Sequence, residues 1–205
     1  MLTLLLRQTG AAFRMLLVAT VVLGLAYPLA VWGLARLPGL NGPAEGSLIT
    51  APDGTPAGSS LVGIDPVPAD PTADPWFHTR PSASAQDVLG PGDPSTSGGS
   101  NLGGFSDKLL DQVQQRRALI AAREGVAPDQ VPPDAVTASG SGVDPQISPA
   151  YAQLQVPRVA RATGLPVAEV QQLVAAATDP RPLGFLGDPG VNVTRLNLAV
   201  ASARP

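Results

Sequence analysis

Twenty-one consecutive residues, Met15 to Ala35, carry no formal charge. As a helix rising about 1.5 Å per residue they extend roughly 31 Å, close to the ~30 Å hydrocarbon core of a bilayer. The run MLLVATVVLGLAYPLAVWGLA therefore reads as a membrane span. Tyr27 and Trp32 lie in its C-terminal half, with Trp32 placed for an interfacial belt. Pro28 predicts a kink, which lipid-embedded helices tolerate when neighbours satisfy the freed carbonyl. Gly24 and Gly33 leave flat positions where another helix can approach; with Pro28 they are the candidate packing residues of the span. A cleaved leader has an apolar region of about 7–15 residues and a small-x-small site. This run is longer and Leu37-Pro38-Gly39 offers no such site, so a retained anchor is expected.

Charge sets the expected orientation. Arg7, Arg14 and the α-amino group precede the span, and Arg36 alone follows it closely. The positive-inside rule then puts the N-terminus in the cytoplasm and the bulk of the chain outside. The division expected is a short cytoplasmic N-terminus over 1–14, a transmembrane helix over 15–36 and an extracytoplasmic domain over 37–205. Beyond position 37, 16 acidic residues face 10 basic ones. An acidic domain with scattered arginines is unsuited to nucleic acid, which is not an expected partner. The chain has no cysteine, which excludes disulfides, thiolate metal sites and cysteine nucleophiles. Its one histidine, His78, cannot build a His-rich metal site alone.

The domain reads as α+β. Gly and Pro number 22 and 23, yet Leu, Val and Ala recur in periodic runs, so a folded domain with long stiff loops is expected. Residues 38–46 read as a Gly/Pro hinge. Ser47-Leu-Ile-Thr and Ser60-Leu-Val-Gly-Ile flank Pro52-Asp53-Gly54 and predict a hairpin. Trp76-Phe77 is an expected core anchor. Ser106 suits a helix N-cap and Asp107 its first turn, with Phe105 stapled onto Leu110 and Gly125 as the stop. A second helix starts at Ser148-Pro149, bends at Pro157 and stops at Gly164. A third starts near Pro166. Finally Val191 to Val200 alternates apolar and polar, which predicts a half-buried strand. The expectation is a small sheet with about three helices.

Several chemistries are absent. The phosphate loop G-x-x-x-x-G-K-[ST] needs a lysine, and the sole lysine, Lys108, has the wrong neighbours. A Ser–His–acid triad would have to use His78, which beside Trp76-Phe77 reads as a surface or packing residue. Asp70 and Asp74 fall in a Pro-rich stretch and read as turn formers. No intrinsic cofactor, metal site or catalytic residue is expected, and an independent enzyme is not.

Three segments are unusual. They are Arg80-Pro81-Ser82-Ala83, then Ser97-Gly98-Gly99-Ser100-Asn101-Leu102-Gly103, then Thr137 to Pro149 (TASGSGVDPQISP). Glycine lets a backbone come close to a partner, and Ser and Asn add uncharged hydrogen bonds. Tight loop packing with Asx and ST turns explains the same residues. The candidate contact residues are Arg80, Ser82, Ser97, Gly98, Gly99, Ser100, Asn101, Ser139, Gly140, Ser141, Gly142 and Asp144. For Asp144, an Asx turn competes with a contact role.

With these segments the chain resembles the KdpC family, the third component of the Kdp potassium-transporting P-type ATPase complex. The resemblance runs the length of the chain: the single N-terminal span, Phe77–Ala83, SGGSNLG, TASGSGVDPQISP, QVPRVARATGL at 155–165, LGFLGDPGVNV at 183–193 and LNLAV at 196–200. It departs at Gln146, where many relatives carry His. The resemblance implies a non-catalytic subunit of a high-affinity, ATP-driven potassium uptake complex in the bacterial plasma membrane. Implied partners are KdpA, the channel-like K⁺-translocating subunit, KdpB, the P-type ATPase subunit, and the small KdpF peptide. The resemblance also implies a catalytic chaperone that raises the ATP affinity of KdpB, with ATP bound together with KdpB and K⁺ handled by the complex. The expected topology puts the domain on the side away from cytoplasmic ATP. The alternative reading is a membrane-anchored extracytoplasmic ligand-binding module; aromatics at 4% of the chain argue against carbohydrate stacking.

Overall fold

The computed structural model describes residues 1–204 and divides the chain into two compact units, Met1–Ser47 and the remainder from Leu48.

The first unit is one apolar helical rod, Leu2–Ala35, long enough to cross a membrane. It consists of α1 (Leu2–Val21), a π-helical turn (Val22–Ala26) and α2 (Tyr27–Ala35). Residues 1–14, expected as a short N-terminal segment, are helical from Leu2 onward. Pro28 accounts for the π turn. Its ring has no N–H and crowds the carbonyl four residues back, so the backbone widens there. The Tyr27 N–H accordingly donates to Val22 O, five residues earlier. Gly24 lies inside the widened turn, and a Cβ at Gly33 would meet nothing within 4 Å. After the rod, Arg36 sits over the Trp32 ring at 5.1 Å and pairs with Glu45 at 2.7 Å. The Gly/Pro stretch contains a single helical turn, Asn41–Ala44.

The second unit is α+β. A hairpin joins β1 (Leu48–Thr50) to β2 (Pro56–Ser59), antiparallel, with Leu48 opposite Ser59. The second strand therefore precedes the expected Ser60–Ile64 segment. Asp53 caps the turn by accepting from the Thr55 N–H and hydroxyl, which pulls the chain back into register early. The main helices are α3 (Asp107–Glu124), α4 (Pro149–Thr163), α5 (Val167–Ala176) and α6 (Val193–Ala203). Ser106 and Ser148 cap α3 and α4 by accepting from Leu109 and Tyr151 N–H. Gly125 and Gly164 end them in the left-handed region, at φ 71 and 76. The Phe105–Leu110 staple does not form: Phe105 is fully exposed and Leu110 more than half exposed. A three-stranded antiparallel sheet has β5 (Gly190–Asn192) between β3 (Gln146–Ile147) and β4 (Thr178–Asp179).

The expected strand over 191–200 is mostly helix α6. Only Val191 and Asn192 pair in the sheet; Asn192 then accepts from the Arg195 N–H and starts a helix. Its buried residues Val193, Leu196 and Val200 are spaced three and four apart, the helical period. The core is built from Phe77, Ile120, Val136, Tyr151, Val156, Val159, Val170, Val174, Val191 and Leu196, all 2% exposed or less. Phe77 is the anchor that the aromatic pair promised, while Trp76 is half-buried under the Arg204 guanidinium at 4.4 Å.

Candidate functional site

Among the described residues no strand pairs with the segment Phe77–Thr79. Side-chain amides take the place of one. Asn197 on α6 accepts from Phe77 N–H and donates to Phe77 O, both at 2.8 Å. Gln155 on α4 accepts from His78 N–H at 2.8 Å and donates to His78 O at 3.3 Å. The Thr79 N–H donates to Asp65 at 2.8 Å. Buried backbone groups are thus satisfied from both helices, which fixes where Arg80-Pro81-Ser82 emerges.

Beneath this segment lies a buried ionic network that sequence reasoning missed. His78 places Nε2 at 2.6 Å from Asp74 and Nδ1 at 3.1 Å from both oxygens of Asp65. Each ring nitrogen of His78 therefore faces a carboxylate. Arg158 bridges Asp74 (3.2 Å) and Glu124 (2.9 Å) and donates to Asp74 O and Trp76 O. Arg123 pairs with Glu124 at 2.7 Å and donates to the Tyr151 hydroxyl at 2.9 Å. Burial pushes the Asp74 carboxyl up, but His78, the Trp76 N–H and Arg158 together hold it below its ordinary value. Burial raises the Tyr151 hydroxyl to about 12 despite Arg123. Asp74 is therefore more than a turn former, although it does also accept from Trp76 N–H. Asp70 keeps the expected role, accepting from Thr72. His78 is a buried bridging group. The one local signal was the four-residue spacing of Asp74 and His78; Asp65, Glu124 and Arg158 are distant in sequence.

The three unusual segments meet. Ser139 N–H donates to Pro81 O and Gly98 N–H donates to Ser141 O, both at 2.8 Å. Arg80 reaches Ala138 O at 3.3 Å, Thr137 Oγ1 at 3.4 Å and Asp144 at 3.5 Å. Ser139 Oγ accepts from Gly142 N–H, and Ser141 Oγ accepts from Val143 N–H. The same loop receives Gly63 N–H on Val143 O and Val193 N–H on Pro145 O, tying the hairpin exit and α6 to it. Glycine is needed where backbones touch. Gly142 has φ +75, and a Cβ there would lie 2.9 Å from Gly98 O; one at Gly99 would lie 3.1 Å from Gly140 O. Asp144 accepts from Gln146 N–H, the expected Asx turn, and its ion pair with Arg80 engages it further. Ser82 is buried and bonds Ser84; Ser100 lies at a neighbouring cavity; Ser97 and Asn101 are exposed at the rim, Asn101 with φ +53. Gln146 donates to Asp179 at 3.2 Å.

An apolar helical rod long enough to span a bilayer, followed by an α+β domain, fits a membrane-anchored, single-pass protein. The family model described as KdpC: K⁺-transporting ATPase, c chain, matches residues 9–202, and the chain belongs to that family. It is 50% identical over 204 residues to the potassium-transporting ATPase KdpC subunit of Kineococcus radiotolerans, covering 100% of this chain and 98% of the relative. It is 44% identical to the protein of that name from Bradyrhizobium diazoefficiens, over 97% of this chain and 98% of that one. The Mycobacterium tuberculosis protein of that name is also 44% identical, over 95% and 97%. As a member of that family the chain is one part of a K⁺-transporting ATPase and works in a complex with the other parts.

Proposed function

We propose that the chain is a non-catalytic subunit that supports assembly and activity of a high-affinity, ATP-driven K⁺ uptake pump, with KdpA, KdpB and KdpF as partners. The N-terminus lies in the cytoplasm and the domain lies outside the plasma membrane. Gly24, Gly33 and the π turn before Pro28 give the span its flat positions for packing against partner helices. The loop junction is the contact surface of the domain. The observation that carries this reading is the convergence of three Gly/Ser loops, backbone against backbone, on one surface with an exposed rim at Ser97, Gly98 and Asn101. Such a surface is preorganised, so docking costs little ordering entropy. Any rise in the ATP affinity of KdpB is transmitted through contacts between the proteins of the complex, with the nucleotide held by KdpB and K⁺ handled by the complex.

The test is Gly98→Glu. A Cβ at Gly98 meets nothing within 4 Å, so the domain accommodates the change while the rim gains a charge. The expected outcome is an unchanged melting temperature with loss of co-purification in mild detergent. Full recovery of the complex would overturn the contact surface.

A further inference from the structure

Lys108, Gln112 and Arg116 are four residues apart on α3 and so share one face. All three line a cavity of about 320 Å³, closed on other sides by Ser82, Asp87 and Ser100. Arg116 is only 3% exposed. Its Nε donates to Val88 O and its Nη1 to Val136 O, each at 3.1 Å. Among the described residues it makes no ion pair, and its Nη2 has no hydrogen-bond partner. Arg80, Arg123 and Arg158, by contrast, each meet a carboxylate. The Gln112 Oε1 is buried and also unpartnered. A desolvated charge without a counter-charge is costly, and buried ions are as a rule paired. Burial accordingly lowers the Arg116 guanidinium from its ordinary value.

We propose that this cavity receives a carboxylate side chain from another protein of the complex, paired with Arg116 and Lys108, while Gln112 Oε1 accepts a backbone N–H of the same segment. The inference rests on the loop junction being the contact surface, because Ser82 and Ser100 belong to both. Charge selects the ligand. Lys108 and Arg116 less Asp87 leave one net positive charge, which matches a carboxylate rather than a phosphate dianion.

Lys108 is the only lysine of the chain, which makes the test specific. In the purified intact complex, a zero-length carbodiimide couples an amine to a carboxylate in contact with it. The expected product is a cross-link from Lys108 to an Asp or Glu of another protein in the complex, mapped by mass spectrometry. It disappears in Lys108→Arg, which keeps the charge, and survives an excess of inorganic phosphate. Lys108→Glu, at an exposed helix position, leaves the fold intact and weakens assembly at least ~10-fold by charge reversal. No adduct, an adduct only to this chain's own Asp87 or Asp111, or an adduct blocked by phosphate would overturn the proposal. If Gly98→Glu still blocks assembly when the adduct is missing, the contact surface stands and the cavity assignment falls. If Gly98→Glu also leaves assembly untouched, both fall.

Discussion

Asp74 shares His78, Arg158 and the Trp76 N–H within one buried cluster. Removing the carboxylate leaves Arg158 short of one of its two buried carboxylates and strips His78 Nε2 and the Trp76 N–H of their partner, so Asp74→Ala should cost about 3–5 kcal/mol. Equilibrium urea unfolding of the domain checks this. The carboxyl is held below 3.8, its ordinary value, so its contribution is fully present above that value. It is lost as pH falls through the lower folded value, because the unfolded chain then binds the extra proton. Stability measured against pH should therefore fall off below about pH 4 and flatten there in Asp74→Asn. Glycine gives a second comparison. Gly142→Ala should cost about 1–3 kcal/mol, since its φ of +75 suits no Cβ and Gly98 O stands 2.9 Å away. Gly98→Ala has open space and an ordinary φ, so its melting temperature should match the parent.

At the scale of elements, α3 and α4 were legible because their signals are local. Ser106, Gly125, Ser148-Pro149 and Gly164 each act within one turn of the chain. The hairpin was legible for the same reason, with only its second strand displaced by the Asp53 turn. Helix α6 was not, because Val191-Asn-Val193 and Leu196-Asn-Leu198-Ala-Val200 each alternate, while Val193, Leu196 and Val200 also fit the helical period and tertiary burial decides for the helix. Leu196 is fully buried and Leu198 only half-buried, as a helix requires. Leu196→Ala should therefore cost about 2–5 kcal/mol and Leu198→Ala clearly less, measured by thermal unfolding. The three loops stood out by composition, but their meeting did not. Residues near 81, 98 and 140 are joined by hydrogen bonds that no local pattern encodes. The ionic network hid for the same reason, since Asp65, Glu124 and Arg158 come from separate elements.

At the scale of the molecule, the chain is an apolar rod and a folded domain with its own core, two compact units in one polypeptide. The rod contributes membrane affinity and the domain contributes a rigid polar surface. If both make contact with a complex, the second contact forms at high effective concentration once the first has formed. Reporter fusions at Pro205 should be active only with an extracytoplasmic reporter, since the positive charges flank the N-terminal side. Anchoring is tested most simply by co-purification in mild detergent of the intact chain and of a chain lacking residues 1–36, each with the other Kdp proteins. The intact chain should be recovered in the complex, and the shortened chain, though folded, should not. Undiminished recovery of the shortened chain would contradict anchoring.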